Sequence, residues 1–203
     1  RGEQALLCRV TLRVERRGGG SRGGFSFPKL RWVDLRNNSI EAVKVDARLK
    51  NMLGPMVLNG GTVAMSGNNV KSFELWTGMG DEEAQRWLDW FQEQVVTTAE
   101  ERAGVTRLRI RTGLITEAKA RWWKGLVRLE ELDLTGNQLS NLTDEGLFNG
   151  LPAALQKLRL DNNQLTSLPE EIGNLVHLRE LGLIGNRLTA LPKHFRDLES
   201  LEV

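Results

Sequence analysis

The chain has 203 residues, of which 40% are hydrophobic and 27% are charged, and its formal net charge is +2. That length and balance indicate a soluble, folded chain made of one domain or one run of small repeats. No stretch approaches the roughly 18 to 20 consecutive apolar residues that cross a bilayer, so we expect no membrane insertion.

The start of the chain and its cysteine content bear on where it works. It begins with Arg1 rather than Met, and we therefore expect a segment of a longer protein. Its single cysteine, Cys8, cannot close an intramolecular disulfide, which favours a reducing, cytoplasmic compartment.

The first 24 residues are basic, with six Arg against two Glu. The run from Arg16 to Gly24 contains two Arg-Gly-Gly units and resembles the Arg-Gly-Gly segments of RNA-binding proteins. We interpret it as a flexible polar insertion. RNA binding through this arm is the third of three functional hypotheses.

A spaced pattern of apolar residues begins at Leu30, continues through Val33 and Leu35 to Asn38, and ends at Val43. The period of two at Val33 and Leu35 predicts a short strand with both side chains in a core and the intervening ones in solvent. An Asn after the strand can bond the backbone groups that a turn leaves unpaired. Weaker copies with the same spacing begin at Leu7, Gly60 and Val105.

Two intervals do not follow this spacing. At about 81–103 an acidic start precedes apolar residues at helical intervals, which predicts a helix on the convex side. At about 116–125 a second, shorter helix is predicted. The aromatic residues of both intervals are interpreted as core rather than as a ligand box, with Trp90 off the apolar stripe. They are Trp87, Trp90, Phe91, Trp122 and Trp123.

Three nearly perfect copies begin at Leu129, Leu155 and Leu178, at offsets of 26 and 23 residues. Each has the form Leu-x-x-Leu-x-Leu-x-x-Asn-x-Leu-x-x-Leu, and a further copy opens at Leu201. This spacing resembles the leucine-rich-repeat family. The Leu-Pro pairs that end the last two complete copies resemble its intracellular 23-residue type. One copy cannot bury its leucine face alone, so neighbouring copies must stack.

The resemblance implies an α/β fold, a single leucine-rich-repeat solenoid over residues 1–203, with a curved parallel sheet on its concave side and helices and turns on its convex side. Residues 1–128 are predicted to form irregular repeats, and 129–203 regular repeats truncated at the C-terminus. The Asn side chains are expected to form a buried structural ladder. Its predicted members are Asn38, Asn68, Asn137, Asn163 and Asn186.

The resemblance also implies that the outward strand positions of the concave face bind a protein partner. Trp32 and Ile184 are the predicted hot spots, since large apolar side chains that point outward favour an interface. The full predicted partner-binding set is Trp32, Asp34, Arg36, Arg107, Arg109, Arg111, Glu131, Asp133, Lys157, Arg159, Asp161, Glu180 and Ile184.

Charges alternate across this predicted face. Adjacent parallel strands lie about 4.8 Å apart, so equivalent positions of successive copies are side-chain neighbours. Two such rows read Arg107, Glu131, Lys157, Glu180 and Arg109, Asp133, Arg159. Every Arg of the 107–111 triplet except Arg111 then has a carboxylate beside it, which favours pairing within the face over capture of phosphate. We therefore expect no nucleic-acid partner.

Catalytic and metal-binding patterns are weak. The two histidines, His177 and His194, have no cysteine or second histidine at metal-ligand spacing, so we expect no metal, no cofactor and no enzymatic activity. The first hypothesis is a non-catalytic protein–protein interaction module or signalling scaffold that binds its partner through the concave face. The alternative is the substrate-recognition segment of a larger signalling enzyme, such as a kinase, GTPase or ubiquitin ligase. The sequence leaves the oligomeric state open.

Overall fold

The computed structural model describes residues 32–34, 40–45, 53, 62–64, 68–76, 78–142, 147–148 and 150–202. The strands in these ranges are β1 (Trp32–Asp34), β2 (Ala42–Val45), β3 (Thr62–Ala64), β4 (Ser72–Leu75), β5 (Arg107–Ile110), β6 (Glu131–Asp133), β7 (Lys157–Arg159) and β8 (Glu180–Gly182). Residues 78–142 contain two α-helices, α1 (Asp81–Trp90) and α2 (Ala99–Gly104).

Six strands form one parallel sheet in the order β2-β4-β5-β6-β7-β8. Alternate side chains of each strand point into the core, where equivalent residues of successive strands stack on one another. One such stack is Val43, Phe73, Leu108, Leu132, Leu158 and Leu181. All of these are buried except the last, which is partly buried. The result is the predicted α/β solenoid, with an open, all-parallel sheet.

The predicted repeat frame is wrong in the N-terminal half. It placed Trp32 and Asp34 on the same sheet as Arg107, but β1 pairs only with β3 in a separate two-stranded sheet. The strands that continue the main sheet are β2 and β4, which begin ten residues after β1 and β3. Arg36, the third predicted contact of that copy, lies outside the described residues.

The size of the buried side chains favours this shift at β4. Phe73 and Leu75 of β4 are both completely buried, opposite Leu108 and Ile110 of β5. The predicted frame offered the smaller Val63 at the same place. Burial of apolar area stabilises by about 25 cal/mol per Å², so the strand with the larger apolar side chains has the greater gain in the main sheet.

Helix α1 carries the aromatic core of the interval predicted to be helical. Its first turn is acidic, and after Trp90 it continues as a π-helical segment, Phe91–Val95. Trp87 and Phe91 are completely buried. Trp90 is also buried, contrary to the expectation from its position off the stripe, because it packs edge-on against Trp87 at 5.4 Å and against Phe73 at 6.4 Å.

The second predicted helix, at about 116–125, is a single 3-10 turn, Ala120–Trp122. Trp122 and Trp123 follow one another and are both completely buried. The Nε1 group of Trp122 donates to the Oε1 atom of Gln85 on α1 at 2.5 Å, which fixes this turn against the helix. Further 3-10 turns follow at Glu170–Asn174 and Lys193–Asp197.

Asn side chains link consecutive repeats. The Nδ2 group of Asn163 donates to the carbonyl oxygens of Leu134 at 3.1 Å and Leu160 at 2.9 Å. Its Oδ1 atom accepts a hydrogen bond from the N–H of Leu139 at 3.1 Å. Asn186 makes the equivalent bonds one repeat later. Each amide thus joins its own repeat to the preceding one.

The ladder changes where Gly113 stands in place of an Asn. The Oδ1 atom of Asn137 accepts from the N–H of Gly113 and from the Oγ1 of Thr112, both at 3.2 Å. Thr112 Oγ1 is in turn reached by the N–H of Leu114 at 3.4 Å, so a threonine hydroxyl takes over part of the missing amide's role. Gly113 has a φ of +83°, a conformation that glycine adopts without steric cost.

Toward the N-terminus, one more predicted Asn of the ladder lies within the described residues. Asn68 is buried, and its Oδ1 atom accepts from the N–H of Ile40 at 3.2 Å. Asn38 lies outside the described residues.

Candidate functional site

The candidate site is the outward side of the six-stranded sheet, the side turned away from the core, which we call the concave face. The register places Arg107 beside Glu131, and Arg109 beside Asp133, as the sequence predicted. The rows continue in the predicted order to β7 and β8. They also extend in the other direction to Ser72 and Glu74 of β4, which the sequence frame had not placed there.

The ion pairs of this face run both along the rows and diagonally between them. Arg109 bonds Glu131, with its Nη2 atom 2.9 Å from Oε1, and also Glu74, with Nη1 3.3 Å from Oε1. Arg111 pairs with Asp133. Side chains of a strand lean along the strand, which brings residues two positions out of register within reach of a long guanidinium.

The prediction that Arg111 alone lacks a carboxylate is therefore wrong. Because the pair of Arg111 with Asp133 is displaced by two positions, Arg111 takes the carboxylate that was assigned to Arg109. Arg107 is exposed, and it forms no ion pair with any residue in the described ranges.

The carboxylate of Asp133 is the most deeply buried charge of the face. Its side chain has no solvent exposure, whereas that of Arg111 is 30% exposed. Burial opposes ionisation of Asp133, but hydrogen bonds from Arg111 and from the N–H of Thr135 outweigh it and lower its pKa. The same hydrogen bond raises the pKa of Arg111. Both groups are charged at neutral pH, and the pair connects β6 to the end of β5.

Acidification is expected to destabilise the fold through Asp133. Its pKa is lower in the folded chain than the unfolded value of about 3.9, so its stabilisation is fully present above that pH and is lost as pH falls through the folded pKa. Urea unfolding of the wild type and of Asp133→Asn, at pH 7 and in steps below about pH 4, measures this. The difference in unfolding free energy between them should shrink on acidification, and a constant difference would rule out Asp133 as the source.

The β7–β8 end of the face holds a second charge cluster. Glu180 accepts hydrogen bonds from Lys157 and from Arg159, the latter at 3.2 Å. The hydrogen bond from Lys157, followed by that from Arg159, lowers the pKa of Glu180. Beyond them Asp161 accepts from the backbone N–H of Ile184 at 2.8 Å. The Ile184 side chain is 80% exposed, the largest exposure among the exposed large apolar residues in the described ranges.

The opposite end of the face presents an indole that the sequence frame missed. Trp76 follows β4 and is 38% exposed. The Nζ atom of Lys44 lies 4.4 Å from its ring centroid and the Cζ atom of Arg111 lies 5.2 Å away. The Nε1 group of Trp76 donates to Glu74 at 2.7 Å. The available signal in the sequence was the alternating run Ser-Phe-Glu-Leu-Trp. Once this run is recognised as the strand β4, Glu74 and Trp76 lie on the side of the strand that faces away from the buried residues.

Trp32 and Asp34, although predicted to bind with the rest, belong to the two-stranded sheet, and the structure does not bring them into the rows of the concave face. The other predicted residues, from Arg107 to Ile184, lie on or directly after β5 to β8. In the described part of the chain no group of three or more His, Cys, Asp or Glu could hold a metal ion. Over the same ranges no helix is long and apolar enough to cross a bilayer.

Comparison with known proteins agrees with this architecture. Residues 128–150 and 153–203 match models of the leucine-rich repeat. The matched segments coincide with the repeats whose leucines and asparagines stack in the structure. The chain therefore contains leucine-rich repeats.

Similar proteins cover the chain unevenly. Podocan-like protein 1 of Mus musculus is 44% identical over 85 residues, which is 40% of this chain and 14% of that protein. A probable serine/threonine-protein kinase of Dictyostelium discoideum, pats1, is 41% identical over 157 residues, 77% of this chain and 4% of the kinase. A solved leucine-rich-repeat protein of Leptospira interrogans aligns with a TM-score of 0.42 at 24% identity, over 86% of this chain and 48% of that one. The chain thus spans a small part of the length of podocan-like protein 1 and of the pats1 kinase.

Proposed function

We propose that this chain is a non-catalytic protein-interaction module that binds a protein partner through its concave face. The observation that carries the proposal is the exposure of large apolar side chains at both ends of a charged sheet face, Trp76 on one side and Ile184 on the other. Large side chains of this kind, surrounded by polar groups, are typical of interface hot spots. Between them the paired charges of β5 to β8 can give a partner its register.

The charge pairs contribute selectivity more than affinity. Glu180 and Arg159 are each more than two-fifths exposed, and exposed ion pairs contribute about 0 to 1 kcal/mol. A partner that offers its own alternating charges can exchange these pairs at low cost, whereas a partner of mismatched charge meets repulsion at several positions. A signalling or scaffold role and a cytoplasmic location remain predictions from the sequence.

The experiment is capture of partners from a cell lysate with the intact chain and two matched triple variants. One variant, Trp76→Ala/Arg159→Ala/Ile184→Ala, alters the concave face. The control, Val127→Ala/Arg128→Ala/Val176→Ala, removes two exposed valines and one exposed arginine that lie in turns outside the strands. Circular dichroism must first show that all three chains are folded.

We expect a protein that is retained by the intact chain and by the control. The amount retained by the concave variant should be lower by about tenfold or more, because hot-spot truncations typically cost more than 1 kcal/mol each. Equal retention by the two variants would place the binding surface elsewhere. Loss with the control alone would assign it to the turns.

The second candidate is that the segment selects substrates for an enzyme of which it is part. The match to the pats1 kinase, which covers 77% of this chain, favours it. Both candidate functions place binding on the concave face. They differ in whether the bound protein is then modified by the enzyme. Phosphorylation of the captured protein by the natural full-length protein would support the second, and its absence with retained binding would support the first.

A further inference from the structure

The part of the concave face formed by β2, β4 and β5 has an outer layer of cations. We call Lys44, Arg107, Arg109 and Arg111 the basic patch. Lys44 and Arg107 are exposed, and neither forms an ion pair with a residue in the described ranges. Trp76 lies within the patch, in contact with Lys44 and Arg111.

The carboxylates that neutralise this patch lie beneath it. The side-chain exposure of Asp133 is 0%, of Glu131 12% and of Glu74 18%. The guanidinium side chains of Arg109 and Arg111 are 29% and 30% exposed. A partner that approaches from solvent therefore meets guanidinium, ammonium and indole groups before it meets carboxylate.

The spacing of the arginines matches an extended chain. Arg107, Arg109 and Arg111 occupy alternate positions, and alternate residues of a strand are about 6.6 Å apart. Acidic residues at every second position of an extended peptide have the same repeat. Carboxylates fit the planar donor fork of a guanidinium, and the exposed part of the Trp76 indole can contact an apolar side chain between them.

We infer that the basic patch binds an extended acidic protein segment, with carboxylates facing Arg107, Lys44 and the outer edges of Arg109 and Arg111. This inference rests on the proposed function and names the chemistry of the partner. The interleaved Glu74 and Glu131 disfavour a nucleic acid, because every unit of a phosphate backbone is charged, whereas an acidic peptide can place the uncharged residues between its carboxylates beside these two groups.

The test uses the intact chain and three fluorescein-labelled nine-residue peptides that share a Thr-rich scaffold and one central Phe. They carry Glu, Gln or Lys at alternate positions. Fluorescence anisotropy should show the Glu peptide binding, the Gln peptide at least about tenfold weaker, and the Lys peptide not binding, with the affinity for the Glu peptide falling as salt rises. Equal binding of the Glu and Gln peptides, or no binding of the Glu peptide, would overturn the inference.

Two matched variants locate the effect. Lys44→Gln/Arg107→Gln should weaken Glu-peptide binding about fivefold to tenfold, since two exposed charge contacts are lost. Lys124→Gln/Arg128→Gln removes two exposed cations outside the strands and should leave binding unchanged. Equal weakening by both pairs would mean unspecific attraction, and tighter binding of polyuridylate than of the Glu peptide would replace the protein segment with a nucleic acid.

The outcome is separable from that of the proposed function. One outcome is that the Glu peptide does not bind, yet the Trp76/Arg159/Ile184 variant still loses its captured protein. The inference of an acidic partner segment is then wrong, and the proposal that a partner binds the concave face is retained. If the capture is also indifferent to that variant, both proposals fail.

Discussion

Replacing Leu158 by alanine is expected to lower the free energy of unfolding by about 2–5 kcal/mol, the range for truncating a buried leucine. Leu158 is completely buried at the middle of β7, and it stacks between Leu132 of β6 and Leu181 of β8. The substitution therefore leaves a cavity at two repeat interfaces at once. Leu181→Ala should cost less, because Leu181 is only partly buried.

Urea unfolding followed by circular dichroism and by tryptophan fluorescence measures this effect. All six tryptophans lie at or before Trp123, so fluorescence reports on the part of the chain up to that residue and circular dichroism on the whole chain. Coincident shifts of both signals would show that the cavity at β7 is felt throughout one cooperative unit. A loss of less than about 1 kcal/mol would contradict the central place of Leu158 in the core.

Replacing Asn163 by alanine is expected to cost about 1–3 kcal/mol, because the backbone partners of its amide lose their hydrogen bonds in a buried place. The carbonyls of Leu134 and Leu160 would lose a donor, and the N–H of Leu139 would lose its acceptor. These groups belong to two repeats, so the substitution weakens their junction as well as one turn.

The matched control is Asn141→Ala, since Asn141 is exposed and precedes the same junction. It should change stability by no more than about 0.5 kcal/mol, as is usual for surface substitutions. Equal unfolding midpoints for the two variants would show that the ladder amide contributes no more than a surface residue does.

The sequence predicted the fold best where its leucines are most regular. From Leu129 onward the spacing alone determined strand positions and register, because alternate leucines can be buried in only one register. In the N-terminal half the pattern of Val63 competed with that of Phe73 and Leu75. Both alternate with polar residues, and only packing against Leu108 and Ile110 decides which strand joins the main sheet.

The sequence predicted the rows of charged residues across the candidate site, but it did not predict which of these residues form ion pairs. Register followed from repeat spacing, whereas the diagonal pairs depend on how far each guanidinium leans, as Arg109 shows in bridging Glu74 and Glu131. The exposed Trp76 was missed because its strand was assigned to the wrong copy. Sequence spacing gives the direction of a side chain once the strand is known, but not which of two adjacent strands enters the sheet.

The central claim is that the partner lies against the concave face, and photo-crosslinking tests it most directly. A photoreactive amino acid would replace Ile184 on that face in one chain, and Val127 in a turn outside the strands in another. We expect the captured protein to crosslink to position 184 and not to position 127. Crosslinking at position 127 alone would contradict it.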